Sequence, residues 1–249
     1  MKKSFLLVLF IQVLVGLTNA QESIHNVSKV GNIDSAKKIL SLHPDWINLK
    51  DNSGLTPLHY AATSSLELVE YLILKGATVN EKSKKGVTPL YTAARFGKTE
   101  IAKYLLEHNA DINIFGEGGT ALHQAVYRAP IEMVILFLSY KPDLSITDAD
   151  GSTVVHAASI WNNDEVLKLL ISAGAELNTK DKKGNTPLHK CLAFADATTK
   201  GSLKAAKILI ENKALLSETN NNNETPLALA IRLGAIEFKT MLIEAGAKN

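Results

Sequence analysis

The chain has 249 residues, 46% hydrophobic and 21% charged, with a formal net charge of +2. These values exclude a disordered or collagen-like chain and allow a sizeable core. The lone Cys191 excludes intramolecular disulfides, and 27 basic against 25 acidic residues make no electrostatic case for nucleic acid or an anionic membrane surface.

Residues 1–20 read as a cleaved secretory signal peptide. Lys2 and Lys3 form a positive start, and Phe5 to Leu17 form an apolar stretch interrupted only by Gln12 and Gly16. "TNA" then ends in the small residue a signal peptidase needs, which places the cut after Ala20. The apolar stretch is too short to span a bilayer comfortably. Cleavage would remove two lysines and no acid, leaving a formally neutral chain. The expected location is periplasmic or secreted, in a bacterial source.

Beyond the leader the chain repeats. "GLTPLH" (54–59) returns as "GVTPLY" (86–91), "GGTALH" (118–123), "GSTVVH" (151–156), "GNTPLH" (184–189) and "NETPLA" (223–228). The threonines Thr56, Thr88, Thr120, Thr153, Thr186 and Thr225 are spaced by 32, 32, 33, 33 and 39 residues. Such a period means stacked units. In each, threonine supplies an N-cap oxygen, and proline, where present, suits the first helical position. A short helix such as Pro57 to Ser64 follows. A longer amphipathic helix comes next, as in "KTEIAKYLLEHNA" (98–110), where Ile101, Ala102, Leu105 and Leu106 share a face. Gly76, Asn109, Gly174 and Gly246 stand where a left-handed C-cap ends that helix. Lys141 and Lys213 hold the same place, so those two ends are expected to close differently. Polar stretches such as "NLKDNSG" and "NTKDKKG" carry turn chemistry. A helix pair of this size cannot bury its own apolar faces, and stacking on its neighbours solves that.

The period near 33 and the motifs "TPLHYAA" (56–62) and "TPLHKCLA" (186–193), with "GATVN", "NADIN" and "GAELN", resemble the ankyrin repeat family. The resemblance covers nearly all of 21–249. It implies an all-α solenoid of stacked helix pairs with projecting β-turn or hairpin loops. Residues 21–50 read as a degenerate N-terminal cap, with His25 and Lys29 on its outer side. Six repeats follow, at 51–82, 83–115, 116–147, 148–180, 181–219 and 220–249. Residues 193–201 hold a six-residue insertion, and the first full repeat is one residue short near Ser65.

Chemistry finds little support. His59, His123, His156 and His189 recur once per repeat, with Tyr91 and Ala228 in their place elsewhere. A residue that recurs with the repeat is a structural part. The resemblance implies that its ring ties neighbouring turns together. Metal ligands must converge within about 2 to 2.3 Å of one ion, whereas stacked helix pairs sit roughly 10 Å apart. Cys191 takes the small site held by Ala61 and Ala93, which suits packing. Phosphate-loop and nucleophile-elbow motifs are absent. "NVS" (26–28) and "NET" (223–225) are glycosylation sequons by pattern only.

In the ankyrin family the short helices and turns line a concave face that binds other proteins. At four, seven and eight residues past each threonine that face would carry Tyr60, Arg95, Phe96, Gln124, Tyr127, Arg128, Ile160, Trp161, Lys190 and Phe194. Aromatic residues and arginine dominate interface hot spots. The expectation is an exported, monomeric, non-enzymatic protein that binds another protein there. It would take no cofactor, metal or nucleic acid and make no stable membrane insertion after cleavage. A secreted effector that binds a host protein, an enzyme using Cys191 or a repeat histidine, and a structural spacer remain open.

Overall fold

The structure, a computed structural model, describes residues 24–161, 163–193 and 202–248. The leader, Phe194 and most of the insertion lie outside the described residues. Contacts divide the chain into two compact units that part in sequence between Gly116 and Glu117. The described elements are helices that follow one another in pairs.

The first unit opens on α1 (24–30), α2 (Ile33–Leu42) and a 3-10 turn (Pro44–Asn48), and continues through α3 (Pro57–Ala61), α4 (Leu66–Leu74), α5 (Pro89–Arg95) and α6 (Thr99–Glu107). Within it α3 packs on α4 and α5, and α6 on α4 and α5. Leu58, Leu68, Leu72, Leu90 and Leu105 fill the core, each burial contributing about 1.5–3 kcal/mol. The helices start where capping chemistry permits: Asn32 and Ser65 accept from the Ser35 and Leu68 amides at 3.0 and 3.2 Å.

The second unit holds α7 (Ala121–Arg128), α8 (Ile131–Ser139), α9 (Val154–Ile160), α10 (Asp164–Ser172), α11 (Pro187–Lys190), α12 (Leu203–Glu211), α13 (Pro226–Arg232) and α14 (Ile236–Glu244). First helices pack on first helices (α7 on α9, α9 on α11, α11 on α13), and second helices likewise (α8 on α10, α10 on α12, α12 on α14). Its core gathers around Leu122, Met133, Phe137, Leu167, Leu170 and Phe238.

Two expectations are corrected. Lys141 and Lys213 do not close their helices differently: both are left-handed, at φ 50° and 67°, like Asn109 at 65°. The Lys213 and Ala214 amides bond Ile210 and Leu209 at 2.9 Å, the pairing seen at Gly76 and Ala77. These bonds offset the cost of a left-handed side chain. His25 is not on the outer side of the cap. It is buried, and its Nε2 lies 3.0 Å from the Leu49 carbonyl.

Turns project between the helix pairs, and five of the six share one device. The oxygen of Asp51, Ser83, Asp148, Asp181 or Asn220 accepts from the amides two and four residues on, at 2.8 to 3.3 Å. Neighbouring tips are tied backbone to backbone: the Lys84 amide donates to the Ser53 carbonyl at 2.9 Å, and that of Lys182 to Asp150 at 3.0 Å. The stacking leaves no room for side chains. At Gly54, φ +79°, a Cβ would lie 2.9 Å from the Lys84 nitrogen. The turn before Thr120 has Gly116 in place of the capping side chain. Tyr91 stands where the other repeats have histidine, and a Cβ on Gly116 would lie 3.2 Å from its ring. The larger ring and the smaller turn residue form one coupled departure.

Candidate functional site

Within each unit, two kinds of polar residue meet on the first helices and their turns. The histidines come first. Nδ1 of His59 accepts from the Thr56 amide at 3.0 Å and lies 2.8 Å from Thr56 Oγ1; Nε2 lies 2.9 Å from the Val87 carbonyl in the next repeat. His123, His156 and His189 repeat the arrangement with Thr120, Thr153 and Thr186, reaching the carbonyls of Ser152, Asn185 and Glu224 at 3.3, 3.0 and 3.0 Å. An amide can only donate, so Nδ1 is the bare nitrogen and Nε2–H donates to the carbonyl. Burial holds all four rings below the usual histidine value, against the pull of those carbonyls. Both ring nitrogens are spent on the fold, so these histidines are ties.

The second kind braces the turns. Tyr60 donates its hydroxyl to Asp51 at 2.7 Å, Tyr127 to Asp148 at 3.3 Å, and the Lys190 ammonium sits 2.7 Å from Asp181. Arg232 reaches Glu224 in the last repeat. Burial and the adjoining carboxylate push both phenols up to about 12. Burial opposes ionisation of Asp51 and Asp181, yet hydrogen bonds from Tyr60 or Lys190 and from turn amides outweigh it, and both carboxyls lie below their usual range. Asp51, Asp148 and Asp181 were not among the expected functional residues. Their signal was present: an acid five residues before the motif threonine in three repeats.

The remaining expected residues point outward to different degrees. In the first unit Arg95 is exposed and Phe96 is 57% exposed, beyond the C-terminal end of α5. In the second, Arg128 is exposed and Trp161 is 59% exposed; Gln124 and Ile160 are half-buried beside them. α7 packs on α9, and Tyr127 and Arg128 hold the same register after Thr120 as Ile160 and Trp161 hold after Thr153. Phe96 is therefore no core residue. Phe194 lies outside the described residues.

Cys191 is 1% exposed and burial pushes its thiol up, opposite to the shift a nucleophilic cysteine needs. Among the described residues no three His, Cys, Asp or Glu side chains gather as a metal cluster, and no helix is long and apolar enough to cross a membrane.

A family profile described as ankyrin repeats in three copies matches residues 24–116, 63–148 and 122–211. Palmitoyltransferase AKR1 of Lachancea kluyveri is 31% identical over 218 residues, covering 83% of this chain and 28% of that protein. Neurogenic locus notch homolog protein 1 of Homo sapiens is 33% identical over 201 residues, 74% of this chain and 8% of its own. The nuclear factor NF-kappa-B p105 subunit of Gallus gallus is 28% identical over 221 residues, 85% and 19%. The chain thus spans less than a third of these curated relatives. Among solved structures, the ankyrin repeat domain of Bcl-3, a unique member of the IkappaB protein family, aligns with a TM-score of 0.70. It shows 25% identity over 86% of this chain and 96% of that one.

Proposed function

The chain belongs to the ankyrin repeat family, and from that premise we propose that it is an exported, non-enzymatic scaffold that binds another protein through its first helices and turns. One observation carries the reading: Trp161, a large indole at 59% exposure, caps the C-terminal end of α9, which packs on α7, the helix that ends at the exposed Arg128. An exposed indole leaves apolar area in water that a partner would cover, and Trp and Arg are the residues from which interfaces draw most of their energy. Tyr60 and Lys190 brace Asp51 and Asp181 and so shape the surface, while the exposure of Arg128 and Trp161 offers the contact. Spending both ring nitrogens of each repeat histidine on the backbone, together with a buried, protonated Cys191, supports a scaffold over an enzyme.

Affinity capture from envelope and culture-supernatant extracts tests the surface. Wild type should enrich a partner that the Arg128→Ala/Trp161→Ala double variant loses by tenfold or more, with an unchanged melting curve because both side chains are exposed. Equal enrichment by both proteins would refute the surface. The export reading is tested separately, by expressing the full chain in a bacterial host and sequencing the N-terminus of the fractionated product. A chain beginning at Gln21 outside the cytoplasm is the expected result, and an intact Met1 in the cytosol refutes it.

A further inference from the structure

Opposite the hairpin ends, a ladder of asparagines ties the C-terminal ends of the second helices together. Asn48 accepts from the Thr78 amide at 2.8 Å and donates to the Gly76 carbonyl at 3.3 Å. Asn80 does the same to Asp111 and Asn109, at 2.8 and 2.9 Å, and Asn178 accepts from the Leu215 amide at 2.8 Å. Each asparagine stands eight residues before its motif threonine; Asn48 and Asn80 satisfy a carbonyl and an amide two residues apart in the next repeat, and Asn178 satisfies the amide. One carboxamide, with its N–H donor and C=O acceptor side by side, matches that pair.

At the same register before Thr153 the residue is Ser145. Its side chain is too short to cross, and its hydroxyl turns into its own loop, 2.6 Å from Asp143. The pair it would have met, the Gly174 carbonyl and the Glu176 amide, has no hydrogen-bond partner among the described residues. A surface cleft of about 370 Å³ opens at this place, its lining including Pro142, Asp143, Leu144, Ser145, Gly174 and Glu176.

We propose that this cleft binds a primary carboxamide, held by the Gly174 carbonyl and the Glu176 amide in the manner of the asparagines of the other repeats. Pro142 and Leu144 supply apolar wall for the ligand's methylene. The site uses none of the hairpin-side residues and stands independently of the proposed binding face. A carboxylate presents only acceptors, so it meets the Glu176 amide but is repelled by the Gly174 carbonyl. Discrimination of amide from acid is therefore built into the pair.

The test is an NMR titration of the full chain with N-acetyl-L-asparagine amide, read at the Glu176 and Gly174 amide resonances. A saturable shift is expected, with Kd on the order of 1–10 mM for a ligand of this size; N-acetyl-L-aspartate should produce at most a tenth of that response. Free L-asparagine run in parallel separates sources: tighter response to the capped form assigns the site to a side chain on a bound peptide, tighter response to the free form to a small metabolite. In Ser145→Asn the protein's own carboxamide fills the cleft, so the response should fall tenfold or more while Tm rises. The reciprocal Asn178→Ser should create a new response at the Leu215 amide. A lack of saturable shift in the wild type, an equal response to aspartate, or an undiminished response in a folded Ser145→Asn would overturn the assignment.

Discussion

His156→Ala destabilises the second unit by about 3–4 kcal/mol, measured as the shift in midpoint of denaturant unfolding at pH 8. The ring is fully buried, and three groups depend on it: the Thr153 amide at 3.0 Å, Thr153 Oγ1 at 2.9 Å and the Asn185 carbonyl at 3.0 Å. Truncation leaves a cavity of ring size in α9, costing about 1–2 kcal/mol. It also strands the buried Thr153 amide, at about 1–3 kcal/mol for a group that water cannot reach, whereas the part-buried Asn185 carbonyl is open to water. Lys168→Ala, at an exposed position of α10, should stay within about 0.5 kcal/mol. In a stack each repeat depends on its neighbours, so hydrogen exchange at the turn following Asp181 should quicken together with that at the start of α9. A loss below 1 kcal/mol would mean that the ring is filler and that the repeats are held together by apolar packing alone.

Much of this was legible in the sequence because the repeat supplies its own control. Six threonines at a near-constant spacing set the register, and register placed the short helices, the long helices and the turns. Comparison of His59, His123, His156 and His189 with Tyr91 and Ala228 was enough to separate tie from chemistry. What stayed hidden was whatever depends on distance across repeats. Tyr60 and Asp51 are nine residues apart and form one brace, yet each alone looks like an ordinary surface residue. Lys141 and Lys213 were misjudged because left-handed lysine is intrinsically unfavourable, and only the surrounding hydrogen bonds show how the helix end accommodates it. The aromatic and arginine residues four to eight positions past each threonine were visible in the sequence, but position could not sort Tyr127, half-buried and bonded to Asp148, from Trp161, which is 59% exposed. Ser145 was visible as a departure from Asn48, Asn80 and Asn178; that it uncovers a matched carbonyl and amide beside a cleft required the fold.

The same four histidines make stability depend steeply on acid. Each folded ring is held below its ordinary value of 6.5 by burial, and Nδ1 must stay bare to accept its threonine amide. The unfolded chain takes up protons near pH 6.5 that the folded chain refuses, so protons favour unfolding. The histidine contribution is fully present above pH 6.5 and is lost progressively as pH falls below it toward the folded values. Each ring adds a slope of up to about 1.4 kcal/mol per pH unit, and four together up to about 5.5. Asp51 and Asp181 act in a lower window. Their folded values lie below the ordinary 3.8, so their contribution is intact above that pH and fades only beneath it. Denaturant midpoints measured from pH 8 to pH 4.5 should therefore hold level to about 6.5 and then drop, well before carboxylates protonate. His156→Ala, already weakened at pH 8, should show a shallower drop by one proton's share. A midpoint that stays level down to pH 5 would mean the rings accept protons in the folded state, and the assignment of Nδ1 as a bare acceptor in each threonine–histidine pair would fall with it.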